Sequence, residues 1–144
     1  MHTESLAFYV AVLRKYFVSF CSERMDALGV TYSQLFIMIF IHKKTECAPK
    51  EISKYLRLDA GQLNRTLNIL IEKNLIKQRK NVNDRRANIL CLTVNGEEVV
   101  RQSQRLFEDW DQQVLSQIDE ESKRELLELM KKLVLNINQK KEEA

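Results

Sequence analysis

Between Asp59 and Thr93 the chain passes from helical to strand-like periodicity within about two dozen residues, and few architectures can use such a stretch. Leu63, Leu67, Leu70 and Ile71 recur at helical spacing and define one apolar stripe. Asp59 precedes that stripe as an N-cap, its carboxylate able to accept the free N–H groups of the first turn. The opposite side carries Gly61, Gln62, Asn64, Arg65 and Asn68, small or hydrogen-bonding residues with little charge. A merely solvated helix face would more often be filled with Lys and Glu. Asn74 stands where a helix ends on a left-handed residue, a place that Asn takes next best after Gly. Residues 75–80 then read as a strand and residues 87–92 as its partner, joined by a hydrophilic tip of residues 81–86 that begins with turn formers.

A helix feeding a basic-tipped hairpin is the layout of a winged helix-turn-helix. The same residues carry a family resemblance. Leu75-Ile76, then Asp84-Arg85-Arg86, then Leu90-Cys91-Leu92-Thr93 with Gly96 resembles the signature of the MarR-type transcriptional regulators. In that family a Gly-Leu-(Val/Ile) step leads into a wing ending in Asp-x-Arg, followed by Leu-Thr and a Gly. Here Asn74 replaces the first Gly and keeps the left-handed cap. Tyr32-Ser33-Gln34, and Glu51-Ile52 through Leu56, also fall at family-like offsets, so the resemblance runs over nearly the whole chain. The wing motif is its specific part; the rest is ordinary helical pattern.

The resemblance implies a mostly α fold with a small β-hairpin wing in a single domain, residues 1–144. The winged helix-turn-helix would occupy about 31–93, and helices at about 4–28 and 93–140 would form a homodimer. The implied function is sequence-specific binding of double-stranded DNA, as a repressor relieved by a small-molecule effector.

Composition agrees with the helical part of that expectation. Only 3 Gly and 1 Pro in 144 residues leave little material for turns, while 44% apolar and 30% charged residues suit one domain with a real core. No apolar run approaches the roughly 18 residues of a membrane span. Glu4, Arg14 and Lys15 interrupt the apolar N-terminal stretch, which therefore does not read as a signal peptide, and a cytoplasmic location is the expectation. The net charge of +3 is unevenly spread. Residues 42–92 hold 12 basic and 5 acidic side chains, a local +7 that leaves −4 for the remainder. Either a Lys-rich solvated surface or a face that meets a polyanion would show this pattern; the wing favours the polyanion.

Outside the winged unit, residues 4–28 form a first helix with Leu6, Val10, Leu13, Phe17, Phe20 and Cys21 on one stripe, widened by Tyr9, Val12 and Tyr16. So broad a face exceeds what one packing partner needs. Gly29 ends it, and Thr31 with Gln34 offers a capping box for the next helix. Residues 35–41 are continuously apolar and could be a buried strand; the capping box makes them a helix buried nearly all round. Pro49 suits the first turn of a third helix with Ile52, Tyr55 and Leu56 inward, and Arg57-Leu58 is a tight step into the Asp59 helix. After the wing, Thr93 caps a long helix through Ile118, with Val100, Leu106, Phe107, Trp110, Val114 and Leu115 on its apolar side. Asp119 caps a last helix bearing Leu126, Leu129, Met130, Leu133 and Ile137. The terminal helices hold more apolar surface than the winged unit can cover, and a mutual dimer interface is the simplest outlet.

Other chemistries are weakly supported. Cys21, Cys47 and Cys91 show no paired spacing, and with only His2 and His42 no metal site assembles. Cys21 and Cys91 read as small buried hydrophobes. Cys47, in an expected loop near Lys43 and Lys44, leaves room for a redox-sensing regulator. Some members of the family sense peroxides through a first-helix cysteine, but Cys21 falls beyond the expected position. Tyr16, Phe36, Phe40 and Phe107 would border a site for a small aromatic effector, with core packing the plainer account of such aromatics. No nucleophile with a base, phosphate loop or carboxylate pair is recognisable, so neither an enzyme nor a cofactor is expected. A helical protein-interaction module without DNA binding is the remaining alternative. On the DNA reading, Arg65 enters the major groove and Arg86 the flanking minor groove. Asp84 steadies the arginine pair and Arg85 serves the backbone, over a near-palindromic duplex.

Overall fold

Capping interactions set most of the element boundaries in the computed structural model, which describes residues 4–83 and 88–143, the last three of these by their backbone alone. Helix α1 spans Leu6–Arg24, its first turn closed by Ser5 Oγ accepting from the Ala7 N–H at 3.2 Å. The expected continuation to residue 28 is a tighter 3-10 turn, Met25–Leu28, closed by Gly29 at φ +72°. Helix α2, Tyr32–Lys44, begins with the reciprocal box expected from the sequence. The Gln34 N–H donates to Thr31 Oγ1 at 3.3 Å, and the Thr31 N–H donates to Gln34 Oε1 at 3.1 Å. The apolar run from Leu35 to Ile41 is therefore helical, and Leu35, Ile37, Met38, Phe40 and Ile41 are all buried. Such a stretch needs no alternation when neighbours cover it on nearly every side.

Helix α3, Pro49–Leu56, starts with Pro in its first turn and with Glu51 Oε2 accepting from the Ala48 N–H at 2.7 Å. It ends on Arg57 in the left-handed region (φ +56°), where the Leu58 N–H reaches back to the Ser53 carbonyl at 3.0 Å. That short turn leads straight into α4, Ala60–Glu72, capped by Asp59 Oδ2 accepting from the Gln62 N–H at 3.0 Å. Strands β1, Ile76–Lys80, and β2, Asn88–Leu92, pair antiparallel from Ile76 opposite Leu92 to Lys80 opposite Asn88.

Sequence periodicity missed a third contribution to this sheet. Cys47, in the α2–α3 connection, exchanges both backbone hydrogen bonds with Leu90, at 3.1 and 2.7 Å, on the side of β2 away from β1. A one-residue bridge has no pattern to recognise.

The residues of the wing signature meet at a single junction. Asn74 turns left-handed at φ +60°, and Thr93 Oγ1 donates to its carbonyl at 2.7 Å while the Thr93 N–H donates to the Leu75 carbonyl at 3.1 Å. A Cβ on Gly96 would lie 2.0 Å from that same Leu75 oxygen, so only glycine lets α5, Val94–Val114, start here. Around this junction Leu35, Ile37, Met38, Ile41, Ile52, Leu63, Leu70, Ile76 and Leu90 are fully enclosed. Burying each such side chain contributes about 1.5–3 kcal/mol.

Two compact units divide the chain, one through Phe107 and the other from Glu108 onward. In the second, α5 stops at Val114 rather than Ile118, followed by a turn in which the Ile118 N–H donates to the Leu115 carbonyl at 3.0 Å. Asp119 then caps α6, Glu120–Glu143, by accepting from the Ser122 N–H at 2.7 Å. Leu126, Leu129, Met130, Leu133 and Ile137 of α6 remain exposed in the single chain. In the first unit the same is true of Leu6, Tyr9, Val10, Leu13 and Tyr16 on α1. No single helix among the described residues is long and apolar enough to cross a membrane.

Candidate nucleic-acid interface

Helix α4 is fixed by its inward face. Leu63, Leu67 and Leu70 are buried at three- and four-residue steps, and that geometry leaves Gly61, Gln62, Asn64, Arg65 and Asn68 exposed together on the outside. Nothing on that outer face demands solvent in the way a row of Lys and Glu would; it presents amide and guanidinium donors and amide acceptors. Arg65 runs back along the first turn, bringing one guanidinium nitrogen within 3.6 Å of the space above Gly61, beside the capping Asp59 carboxylate. Backwards projection toward the N-terminus is the normal direction for a long helical side chain.

The far end of α4 is also tied down, by a residue that sequence reasoning did not single out. Lys73 Nζ donates to the Gly29 carbonyl at 3.1 Å and to Gln34 Oε1 at 3.2 Å. The buried Gln34 amide oxygen thus serves the α2 capping box and the end of α4 at once. A lysine contact over such a sequence distance has no local signal, and only the fold reveals it.

The wing is a solvated ribbon. Of β1 only Ile76 is buried; Lys77, Gln78, Arg79 and Lys80 are all exposed, whereas β2 turns Leu90 and Leu92 into the core. Arg79 Nη2 reaches Glu46 Oε2 at 2.8 Å, which ties the wing to the α2–α3 connection next to the Cys47–Leu90 bridge. Both ends of that pair are about half exposed, so it contributes at most about 1 kcal/mol. Beyond β1, the Asn83 N–H donates to Asn81 Oδ1 at 3.0 Å in an Asx-type turn. Asp84, Arg85 and Arg86, expected at the tip, lie outside the described residues.

The alternative of a reactive thiol at Cys47 is disfavoured by its surroundings. Its side chain is buried, and its pKa is pushed up to about 11, by burial first and by the Glu51 carboxylate second, with Lys44 pulling weakly the other way. Burial likewise raises Cys21, against a smaller pull from Arg24. A thiol held protonated is a poor nucleophile. Among the described residues no cluster of His, Cys, Asp and Glu is arranged to hold a metal ion. His42 instead pairs with Glu97 at 2.7 Å, joining the end of α2 to the start of α5.

The four aromatics suggested as an effector site are distributed differently. Phe36 and Phe107 stack at 5.8 Å between ring centres, and Phe17 and Tyr32 complete a cluster around Phe36 at 6.1 and 4.8 Å. Phe40 turns to Tyr55 on α3 at 5.1 Å, and Tyr16 stands 65% exposed on α1. Phe17 and Tyr32 were legible only as helical-stripe and capping residues, so their meeting depends on how α1 crosses α2.

A two-helix motif with an exposed hydrogen-bonding second helix, followed by a basic two-stranded ribbon, defines a winged helix-turn-helix protein. The comparisons agree. The sequence profile of the MarR family matches residues 28–87. The HTH-type transcriptional regulator BilQ of Clostridium symbiosum is 33% identical over 130 residues, covering 90% of each chain. A crystal structure of a Cys-to-Ser mutant of MarR from E. coli, complexed with operator DNA, is similar at a TM-score of 0.75 and 25% identity, covering 89% of this chain and 92% of that one. Another crystal structure of MarR overlays with a TM-score of 0.88, covering all of this chain and 98% of the other, and at 20% identity it speaks for the fold alone. The chain belongs to the MarR family of helix-turn-helix transcriptional regulators.

Proposed function

We propose that this regulator is a homodimeric, cytoplasmic repressor that reads a near-palindromic duplex with one α4 from each copy, and that a small aromatic compound releases it. The observation that carries the reading is the exposed face of α4, with Gln62, Asn64, Arg65 and Asn68 aligned above a buried leucine stripe. Amide and guanidinium side chains are the groups that match the donor and acceptor pattern of base edges in the major groove. The relative crystallised with operator DNA supports the same use of the fold. Residues 42–92, with their local +7, supply the attraction to phosphate. The wing arginines Arg85 and Arg86 would flank the helix, with Arg86 sensing minor-groove width and Asp84 steadying it.

Dimerisation would cover the exposed apolar residues of α1 and α6, and would set the two reading helices about one helical turn of DNA apart. The effector would act by preferring one spacing of those helices over another, since a ligand shifts an equilibrium only by its differential affinity. The cluster of Phe17, Tyr32, Phe36 and Phe107 is the apolar surface best suited to a flat ring.

The test is enrichment of duplexes from a randomised pool, followed by binding of the winning sequence across a salt series. The expected result is one palindrome-like consensus, with affinity falling on a log–log slope of about −5 or steeper if six or more phosphates are contacted. No enrichment, or binding indifferent to salt, would overturn the reading.

A further inference from the structure

Of the chain's three glycines, the fold accounts for two. Gly29 adopts φ +72°, and Gly96 has the Leu75 carbonyl oxygen 2.0 Å from where a Cβ would sit. Gly61 is different. It lies in the first turn of α4 without a positive φ, and it is exposed. A Cβ there would meet no backbone from outside its own helical turn within 4 Å, only the Asp59 carboxylate oxygen at 3.2 Å and the Arg65 Nη1 nitrogen at 3.6 Å. The Arg65 nitrogen is at ordinary contact distance, while the Asp59 oxygen is the one that caps the helix by accepting from the Gln62 N–H at 3.0 Å and would have to give by a few tenths of an ångström. Glycine is meanwhile a poor helix former, because its backbone loses the most freedom on folding. The fold constrains this position far less than it constrains Gly29 and Gly96.

A glycine that the fold constrains so loosely, set among Gln62, Asn64, Arg65 and Asn68 on one exposed face, points to a surface from outside the chain. We propose that Gly61 is the point of closest approach between α4 and the duplex, where bare backbone lies against the base edges and the missing side chain sets how deeply the helix enters the groove. Depth in turn decides which base pairs Gln62 and Arg65 can reach, which makes Gly61 a determinant of site preference. Glycines permit just this kind of backbone approach to a ligand. The proposal rests on the DNA-reading role given to α4 above.

The experiment compares Gly61→Ala and Gly61→Met with the unaltered protein in two measurements. One is the thermal midpoint; the other is competition binding to a duplex that the unaltered protein has enriched from a randomised pool, against an unrelated duplex of equal length. Expected is a midpoint unchanged or raised by about 2–4 °C, since both replacements favour helix. Expected with it is a loss of affinity for the enriched duplex of about tenfold or more for Ala and larger for Met, with a smaller loss on the unrelated duplex. Alanine binding as tightly as glycine would overturn the proposal and leave the DNA-reading role of α4 standing. Parallel losses of stability and binding would also overturn it, by making Gly61 a residue of the fold. Failure of the unaltered protein to enrich any duplex would overturn the DNA-reading role itself.

Discussion

Leucines at the same three- and four-residue steps meet opposite fates in two parts of this molecule. On α4, Leu63, Leu67 and Leu70 are 2%, 4% and 0% exposed; on α6, Leu126, Leu129 and Leu133 are 40%, 58% and 38% exposed. The first set is finished within one chain, on a helix that packs beside α3 and β1. The second set is left uncovered by its own chain. Periodicity therefore says that a helix has an apolar face, and leaves open whether the same chain or another copy supplies the cover. The winged unit buries its own stripe, while on the dimer proposed above the terminal helices are completed by a second copy.

The largest effect should come from removing the incomplete half. Deleting residues 119–144 takes away α6 and its exposed apolar face and leaves Val114 and Trp110 near a new terminus. Aggregation or unfolding, read by sedimentation and circular dichroism, is the expected outcome. A soluble monomer that still bound DNA would break the comparison.

The complete half can be stressed at its junction. Gly96→Ala forces a methyl group to within about 2 Å of the Leu75 carbonyl, so either α5 or the wing must move. Overpacking of this kind costs about 1–3 kcal/mol, and the loss should be larger here than for Gly61→Ala, where only side-chain atoms must give. Denaturation with urea at fixed protein concentration measures both. Equal effects at the two glycines would mean that the junction is softer than its geometry.

A smaller effect is expected at the wing tip. Arg86→Ala should weaken binding to matched and mismatched duplexes by similar factors, and Asp84→Ala should act as a milder version of it. Competition binding with both duplex types measures this, and loss of base preference alone on Arg86→Ala would reverse the roles assigned to helix and wing.

The smallest expected effect is at Cys47. With its thiol raised from an ordinary value near 9 to about 11, alkylation at pH 7–8 should leave it unmodified in the native protein and modify it only in denaturant. The raised pKa also fixes a sign. The folded state holds the proton more tightly, so the stabilisation is present below about pH 9 and is lost as pH rises toward 11. Native labelling of Cys47 at neutral pH would reopen a redox role.

Much of this fold could be read from residues alone because its elements announce their own ends. Thr31 with Gln34, Pro49, Asp59, Asn74, Thr93 and Asp119 all act where their chemistry places them. The outer face of α4 was legible for the same reason, since the buried leucines leave only one side free. What stayed hidden depends on distant partners. The Cys47–Leu90 bridge turned a supposed loop thiol into a buried one, Lys73 reached across 44 residues to Gly29, and Phe17 joined Phe36 rather than serving as one more stripe residue. Each of these is a consequence of tertiary crossing, on which local pattern is silent. Gly61 is an intermediate case: the sequence placed it on the exposed face of α4, and the structure showed how much less strictly the fold constrains it than Gly29 and Gly96.

The central claim is that the polar face of α4 reads bases, and Arg65→Ala tests it most directly. Competition binding at fixed salt would compare the enriched duplex with an unrelated duplex of equal length and charge. The expected result is a loss of about 1–3 kcal/mol on the enriched duplex, roughly ten- to a hundredfold, with little change on the unrelated one. Equal weakening of both duplexes would make Arg65 a phosphate contact, and unchanged binding to both would contradict the assignment of α4 as the reading helix.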